Sequence, residues 1–368
     1  MENNKQMQKA GNNSQQVQIG NATINVGITE KRAREIFQEM NEITRKNYTQ
    51  DAFELAMKKI SMFEELLMHK VEQVDGMLEA FRDPSFQLLL VEAQKRAAAS
   101  DRESDFEMLT ELLAHRVKQK DDRKIKASIS KAVEIVDQID DDALCGLTVS
   151  YAILHWGPQT GNISQGLKTM NGLLSSLCYR ELPTGSDWVN HLDILDAVRV
   201  SSMGEFVKLS DFYANNWDGY ICSGIQENSE NHIKALKILH ETNLPANWLV
   251  PHELNEGYVR LPVRDQYSIA EMTVPTFEHG EFVSYRAIVQ QEVDALNKIW
   301  NLYSKDSAQK LKVKHAFMEK WDSYHTLSLI HTWWDTIPHS FTITPIGNVL
   351  AHANAQRYNS QIPNLNNQ

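Results

Sequence analysis

Apolar and polar residues alternate between Asn12 and Ile28, and the phase of this alternation shifts at Gly20-Asn21. Alternation with a period of two predicts β-strands, and a Gly-Asn pair between two such runs predicts the two-residue turn of a hairpin. Cross-strand neighbours share a face, so in this register five apolar side chains lie on one side of the hairpin. These five candidate oligomerisation residues are Val17, Ile19, Ala22, Ile24 and Val26.

The predicted hairpin needs a cover for its apolar face, because an isolated two-stranded hairpin is only marginally stable in water. Three outcomes remain open: pairing with the hairpins of other copies, docking on the chain's own helical body, or disorder. We favour pairing between copies, because few charged side chains protect the strand edges of this leader, defined as residues 1–28. The leader therefore predicts a homo-oligomer.

From Thr29 to about Asp142, apolar positions recur with the period of an α-helix. Helix starts are indicated by a capping residue at Thr29, by Asp83 followed by proline, and by a capping box from Ser104 to Glu107. The breaks between these helices are short, which predicts antiparallel neighbours in a bundle or array.

After Gly157-Pro158, glycine, proline and tryptophan become more frequent and the helical runs shorten. Strand-like pieces alternate with helical ones, and the last piece is a strand, a turn and a helix similar to the end of a winged-helix domain. The predicted elements are a helix at Trp188–Val200, strands at Gly219–Ile225 and Gly257–Val263, a helix at Tyr285–Tyr303, and the strand–turn–helix at Ser340–Tyr358.

These patterns predict a predominantly α protein, α+β overall, in four parts. They are a β-hairpin leader at 1–28, a helical bundle or array at 29–156, a mixed α/β region at 157–359 with the winged-helix-like element, and a disordered tail at 360–368.

Composition limits the partners that we expect. The net charge is −11, from 48 acidic and 37 basic side chains, so the field of the whole chain opposes binding to nucleic-acid phosphates. A basic run at Arg116–Lys126 has no interleaved aromatic residues to stack on bases, and we interpret it as a solvated turn between helices. Three widely spaced cysteines and the lack of a long apolar run predict a cytoplasmic protein without a membrane anchor.

Candidate chemistry is sparse. Gly161–Thr169 is close to a phosphate-binding loop, but Leu167 separates the second glycine from Lys168, so we reject that motif. The candidate catalytic residues are His331 and Asp335, which are four apart and share a helix face, and His339 beyond a proline. Such a spacing more often reflects a local hydrogen bond beside a buried tryptophan, and we expect no metal and no cofactor.

Two stretches resemble a group of bacterial proteins found in mobile-element and phage-defence gene neighbourhoods. They are "NNSQQVQIGNATINVGIT" running into "AREIF" near the start, and "FTITPIGNVLAHANAQR" near the end. In that group a similar leader rich in Asn, Gly and Gln precedes a helical body. The resemblance implies a bacterial cytoplasmic protein that is a component of an antiviral system, with a protein partner there, and it supplies no active-site residues.

Three functions remain open. The first is a non-enzymatic, homo-oligomeric scaffold or sensor in antiviral defence, assembling through the leader hairpin. The second is a hydrolase or nuclease-type effector with its site in the C-terminal half. The third is a winged-helix DNA-binding regulator that uses residues 306–358.

Overall fold

The computed structural model describes residues 28–44, 50–119, 122–201, 204, 206–278 and 281–365, where the chain is predominantly α and α+β overall, as predicted. The α-helices in this part of the chain are α1 (Glu30–Thr44), α2 (Gln50–Gln73), α3 (Met77–Ala80), α4 (Pro84–Ala99), α5 (Glu103–Lys118), α6 (Arg123–Ile135), α7 (Asp141–His155), α8 (Ile163–Leu177), α9 (Asp187–Ile194), α10 (Leu209–Asn216), α11 (Glu230–Glu241), α12 (Gln290–Trp300), α13 (Ser307–Asp322), α14 (His325–Trp334) and α15 (Pro345–Tyr358). Its strands are β1 (Val198–Val200), β2 (Ile225–Gln226), β3 (Val250–Pro251), β4 (Tyr258–Arg260), β5 (Thr273–Glu278), β6 (Glu281–Ala287) and β7 (Phe341–Ile343).

Local capping signals mark several helix starts as predicted. Thr29 Oγ1 accepts a hydrogen bond from Arg32 N at 3.2 Å, and Asp83 accepts one from Ser85 N at 2.8 Å just before Pro84. These side chains satisfy backbone N–H groups that have no partner within the first turn.

The predicted capping box at Ser104 is wrong. Helix α5 begins at Glu103, which places Ser104 inside the first turn, and Arg102 occupies the cap position without capping through its side chain. The Arg102 guanidinium instead donates to Ile139 O at 2.7 Å and to Val136 O at 3.3 Å. The residue before this helix is therefore held by a contact with a distant segment instead of by a local cap.

The larger of two hydrophobic cores extends from Ala33 to Ile362 and includes residues of α1–α10 and α13–α15. At its centre, α15 packs against α5, α6 and α7. Eight of the fourteen residues of α15 are buried, including Leu350, His352 and Asn354. The domain boundary predicted after residue 156 therefore passes through this core rather than between the two cores.

The two-stranded sheet β1-β7 joins distant parts of the chain. Strand β1 pairs antiparallel with β7, with Val198 opposite Ile343. The predicted helix at Trp188–Val200 ends earlier, at Ile194, because Asp196 takes a positive φ of 60° and the chain turns into β1. The predicted strand–turn–helix near the C-terminus is present as β7 and α15, but the partner of its strand is β1 and not a neighbouring hairpin strand.

The smaller core lies between Cys222 and Tyr303, where α11 and α12 pack around the antiparallel sheet β2-β4-β3. Strand β4 lies within the predicted Gly257–Val263. The strand predicted at Gly219–Ile225 is mostly a turn, because Tyr220 and Ile221 donate backbone hydrogen bonds to Trp217 O, and only its last residue joins β2.

A hairpin formed by β5 and β6 replaces the first part of the helix predicted at Tyr285–Tyr303. That helix, α12, begins only at Gln290, and Tyr285 pairs with Pro275 in the hairpin. Cross-strand pairing with residues ten positions earlier overrides the local helical pattern.

The tail predicted to be disordered from Ser360 packs against the helices as far as residue 365. Ile362 is buried and its carbonyl accepts a hydrogen bond from Gln356 Nε2 at 2.9 Å. The Pro363 carbonyl bonds the His352 ring at 2.9 Å, and Lys118 Nζ donates to Asn364 Oδ1 at 2.8 Å. These contacts correct the prediction for residues 360–365.

Candidate functional site

The structure brings two of the three candidate catalytic residues together. His331 lies on α14 between two carboxylates, with Nδ1 2.9 Å from Asp322 Oδ1 and Nε2 3.8 Å from Asp335 Oδ2. His339 is exposed beyond the end of the helix. Within the described part of the chain, it makes no hydrogen bond or ion pair with His331 or Asp335. The spacing of His331 and Asp335 predicted their contact, whereas Asp322 comes from α13.

Asp335 has a structural role that accounts for its position. Its Oδ1 accepts a hydrogen bond from Leu209 N at 2.9 Å at the start of α10, and its backbone carbonyl accepts one from Lys208 Nζ at 2.7 Å. A carboxylate at the positive end of a helix stabilises that end. Among the described residues, no group of three or more His, Cys, Asp or Glu side chains is arranged to hold a metal ion.

A buried cysteine–histidine pair lies in the smaller core. The hydrogen bonds of its histidine do not suit a general base for a cysteine nucleophile. Cys222 Sγ lies 3.7 Å from His252 Nε2, but that nitrogen also lies 2.8 Å from the Cys222 carbonyl, while His252 Nδ1 accepts from Leu254 N at 3.1 Å. Nε2 therefore carries the proton and cannot take one from the thiol. Burial raises the pKa of Cys222 to about 12, so the thiol stays protonated at neutral pH.

The loop that resembles a phosphate-binding motif already holds an anion from the chain itself. At the start of α8, Ile163 N and Ser164 N donate to the Glu253 carboxylate at 2.7 and 3.0 Å, and the Ser164 hydroxyl donates to it as well. Lys320 Nζ donates to Ser164 Oγ at 2.6 Å and to the Glu253 carboxylate at 3.3 Å. Glu253 therefore occupies the position where a phosphate would bind at this helix N-terminus.

The basic run spans the end of α5 and the start of α6. Arg116 and Lys126 line a cavity of about 590 Å³, but Glu79 and Asp83 line it too. Both signs of charge face this cavity, so its walls do not form a basic patch.

A pair of buried histidines lies in the larger core, where sequence patterns gave no signal for it. The ring centroids of His115 and His352 are 5.0 Å apart, and the two side chains are 2% and 0% exposed. Their Nε2 atoms bond Gln356 Oε1 and Pro363 O, whereas both Nδ1 atoms are buried without a hydrogen-bond partner. Burial lowers the pKa of His115 to about 4 and that of His352 to about 3, so both rings are neutral at pH 7.

The β5–β6 hairpin presents an aromatic face to solvent. A register shift after Thr276 places one extra residue of β6 opposite β5, and such a bulge changes which residues share a face. Phe282 and Tyr285 therefore point to the same side, with ring centroids 5.0 Å apart, although they are three positions apart. Phe282 is 53% exposed and Tyr285 66% exposed. We call these two residues, with the exposed Val283 between them, the hairpin patch.

The opposite face of the hairpin is fixed to the body. Val274 is buried in the smaller core, and Arg286 makes a bidentate ion pair with Glu292 of α12, at 2.5 and 2.8 Å. The Arg286 hydrogen bonds hold the pKa of Glu292 below its usual range. These contacts attach one face of the hairpin to the smaller core and to α12, and the hairpin patch on the other face is exposed to solvent.

The predicted oligomerisation residues all belong to the leader. Val17, Ile19, Ala22, Ile24 and Val26 lie outside the described residues. Sequence patterns placed the exposed β-surface in the leader and missed the hairpin patch. The signal available for it was two short runs rich in β-branched and aromatic residues, at 273–277 and 282–285, on either side of a His-Gly pair.

Comparison with known proteins assigns a family to the chain. A family model described only as ":-like" matches residues 27–367, so the chain belongs to that family. This description states no activity, ligand or partner. No curated protein and no solved structure matches the chain. Within the described residues, no helix is both long enough and apolar enough to cross a membrane.

Proposed function

We propose that this protein is a non-enzymatic, homo-oligomeric interaction protein of the bacterial cytoplasm, a scaffold or sensor whose hairpin patch contacts a second copy of the same chain. The observation that carries the proposal is the exposure of Phe282, Val283 and Tyr285 on a hairpin whose other face is anchored. Exposed aromatic clusters on a rigid support are typical of protein contact surfaces.

The leader is the segment of the second copy that suits this surface. It has the alternating pattern of a strand and one apolar face, which can pack against the exposed aromatic face of the β5-β6 hairpin. Charge favours the contact too. Residues 1–27 carry two lysines and one glutamate, whereas the whole chain has a net charge of −11.

The antiviral role rests on the resemblance of the leader and of the C-terminal stretch to proteins of phage-defence neighbourhoods. An assembled ring or filament of identical bodies would turn weak individual contacts with a defence partner into strong ones by avidity. The proposal therefore places the function in assembly and not in a catalytic centre.

Light scattering of three variants beside the intact chain tests the proposal. We expect an oligomer for the intact chain, and a monomer after deletion of residues 1–27. The double variant Phe282→Ser/Tyr285→Ser should also lose mass, because it removes the apolar face that the leader covers. A matched control is Leu88→Ser/Ile233→Ser, which removes two apolar side chains exposed by 73% and 64% on α4 and α11.

A monomeric intact chain at every concentration contradicts the proposal as a whole. A mass that falls on deletion of the leader but not with the hairpin variant retains assembly and removes the hairpin patch from it. Equal losses in the hairpin variant and in the control would show that surface hydrophobicity in general, and not this patch, drives association.

A further inference from the structure

The C-terminal tail, residues 360–365, lies on the helices in the manner of a bound peptide. Gln356 Nε2 donates to Ile362 O at 2.9 Å and to Pro363 O at 3.3 Å, and His352 Nε2 lies 2.9 Å from Pro363 O. The Ile362 side chain is buried in the larger core. Side chains of the body therefore recognise two consecutive carbonyls and one apolar side chain. We call the surface that contacts the tail the tail groove; it is formed by His115, Lys118, His352 and Gln356.

The polar groups of the tail groove are positioned by the larger core. His352 is fully buried, and His115 Nε2 lies 2.7 Å from Gln356 Oε1. The His115 ring therefore donates to the amide oxygen and orients the amide N–H toward the tail. A buried polar group costs free energy unless it is hydrogen-bonded, and the tail carbonyls supply these bonds. The recognition of an extended backbone is thus built into the core.

A cavity of about 330 Å³ adjoins the tail. Its walls consist of tail residues on one side and of Lys70, Glu111, Lys118 and Gln356 on the other. The tail side chains that reach it include those of Ser360 and Asn364, which are small and uncharged. A segment with a longer or charged side chain would fit beside the helices here, because the cavity is as large as a small ligand pocket.

Positive charge is in excess in this cavity among the described residues. Lys70 makes an ion pair with Glu111. Glu111 also acts on Lys118, but burial is the larger influence there and lowers the pKa of Lys118. Lys118 Nζ donates to the neutral amide oxygen Oδ1 of Asn364 at 2.8 Å. A carboxylate at the position of Asn364 would stabilise the Lys118 ammonium better than this amide does.

We propose that the tail groove binds an extended segment of a partner protein in which Ile-Pro is followed by Asp or Glu, and that the chain's own tail is an autoinhibitory occupant of this site. The partner's isoleucine and its two carbonyls take the places of Ile362 and Pro363, and its carboxylate pairs with Lys118. The tethered tail competes at an effective concentration on the order of millimolar. A segment must therefore bind more tightly than the tail, and the acidic residue supplies that difference.

The chain itself does not contain such a segment. Ile-Pro occurs at Ile337 and at Ile362, and the next residues are His339 and Asn364. A second copy would offer the same neutral tail and would have no advantage over the one already bound. The partner is therefore a different protein. This inference does not depend on the proposed function, because the tail groove and the hairpin patch share no residue.

Fluorescence anisotropy with two labelled peptides tests the inference. One peptide is residues 360–368, and the other is the same peptide with Asn364→Asp. In the full chain, Ile362→Ser/Leu365→Ser releases the tail by removing its apolar contacts. We expect this variant to bind the acidic peptide about fivefold more tightly than the neutral one, because the hydrogen bond from Lys118 then goes to a charged acceptor. The intact chain should bind the acidic peptide at least about tenfold more weakly than the variant.

Lys118→Gln, added to the variant with the released tail, should abolish the preference for the acidic peptide. Lys124→Gln, which changes an exposed lysine that does not line the cavity, is the matched control and should retain the preference.

Three results would overturn the inference. They are no binding of either peptide at millimolar concentration to a folded chain with a released tail, equal binding by that chain and the intact chain, and a preference for the acidic peptide that survives Lys118→Gln. Thermal melting shows whether each variant is folded. A chain that ends at Asn359 empties the groove in a second way and replaces the double variant if that variant is unfolded.

Discussion

The two cores of this protein are built in different ways. The larger core is made by long helices that present apolar stripes to one another, and α15 lies at its centre. The three-stranded sheet of the smaller core, β2-β4-β3, has strands of only two or three residues, which satisfy few backbone groups by pairing. There one side chain satisfies backbone carbonyls that the sheet does not pair. Arg260 is 1% exposed and donates to the carbonyls of Gly161, Leu261 and Val263 at 2.5, 2.9 and 3.1 Å.

The contrast teaches that irregular backbone can be buried when a multivalent donor takes the place of a sheet. Guanidinium has five N–H groups in a fixed fork and can serve several carbonyls at once. Helices satisfy their own backbone groups and need only apolar contacts to be buried. The stability of the smaller core should therefore depend on a single residue, and that of the larger core should not.

The largest effect is expected at Arg260. Arg260→Met should destabilise the protein by about 3 kcal/mol or more, because it removes the guanidinium donors from the carbonyls of Gly161 and Val263. Urea denaturation measures this change. The control Arg199→Met removes an exposed arginine that is paired with Asp196, and should cost no more than about 0.5 kcal/mol. If Arg260→Met costs no more than its control, the smaller core does not depend on this residue.

Acid should destabilise the larger core through its buried histidines. The pKa of His115 in the folded chain is about 4, below the ordinary value of 6.5, so its stabilising contribution is complete above pH 6.5 and is lost as the pH falls toward 4. From His115 alone, the loss by pH 4 is about 3 kcal/mol. Thermal or urea denaturation between pH 7 and 4 measures it.

His115→Gln removes this titration and should flatten the stability profile between pH 6.5 and 4, whereas a change of the exposed His339 to Gln should leave the profile as it is. Equal acid slopes in both variants would show that His115 is not responsible. The residual slope in His115→Gln contains the contributions of His352 and of His252, whose pKa values burial lowers to about 3 and about 4.

The smallest effect is expected at the junction of the two regions, where Glu253 binds the start of α8. Burial alone would raise the pKa of Glu253, but hydrogen bonds from Ser164 and Ile163 lower it. Glu253→Gln keeps one acceptor and loses the charge at the helix N-terminus, so we expect a loss of about 1 kcal/mol. Glu241→Gln, which affects an exposed pair with Lys237, is the control. A loss no larger than that of the control would mean that the carboxylate is not needed there.

Much of the helical part of the fold could be predicted because its signals are local. The starts at Thr29 and Asp83 depend on side chains within three residues of the backbone groups that they cap. The errors occur where distant residues decide. Helix α9 gives way to β1 because Val198 pairs with Ile343, and Tyr285 joins a strand because Pro275 lies opposite. The hydrophobic pattern within a segment does not show which distant residue will pair with it.

The candidate sites show the same limit. The contact between His331 and Asp335 follows from their spacing on one helix, but its second carboxylate, Asp322, comes from another. The tail groove is assembled from α5 and α15, which are distant in the sequence. Its histidines, glutamine and lysine are ordinary in each helix, and only the fold places them together.

The position of α15 has a consequence for how the chain is made. Helices α5, α6 and α7 bury one side of themselves against a segment that is more than 180 residues later in the sequence. During synthesis the first half emerges long before this segment. The apolar surfaces of α5, α6 and α7 therefore stay exposed to solvent until α15 has been made. Ribosome-bound or truncated chains that lack the final 25 residues should therefore be the forms that need chaperones.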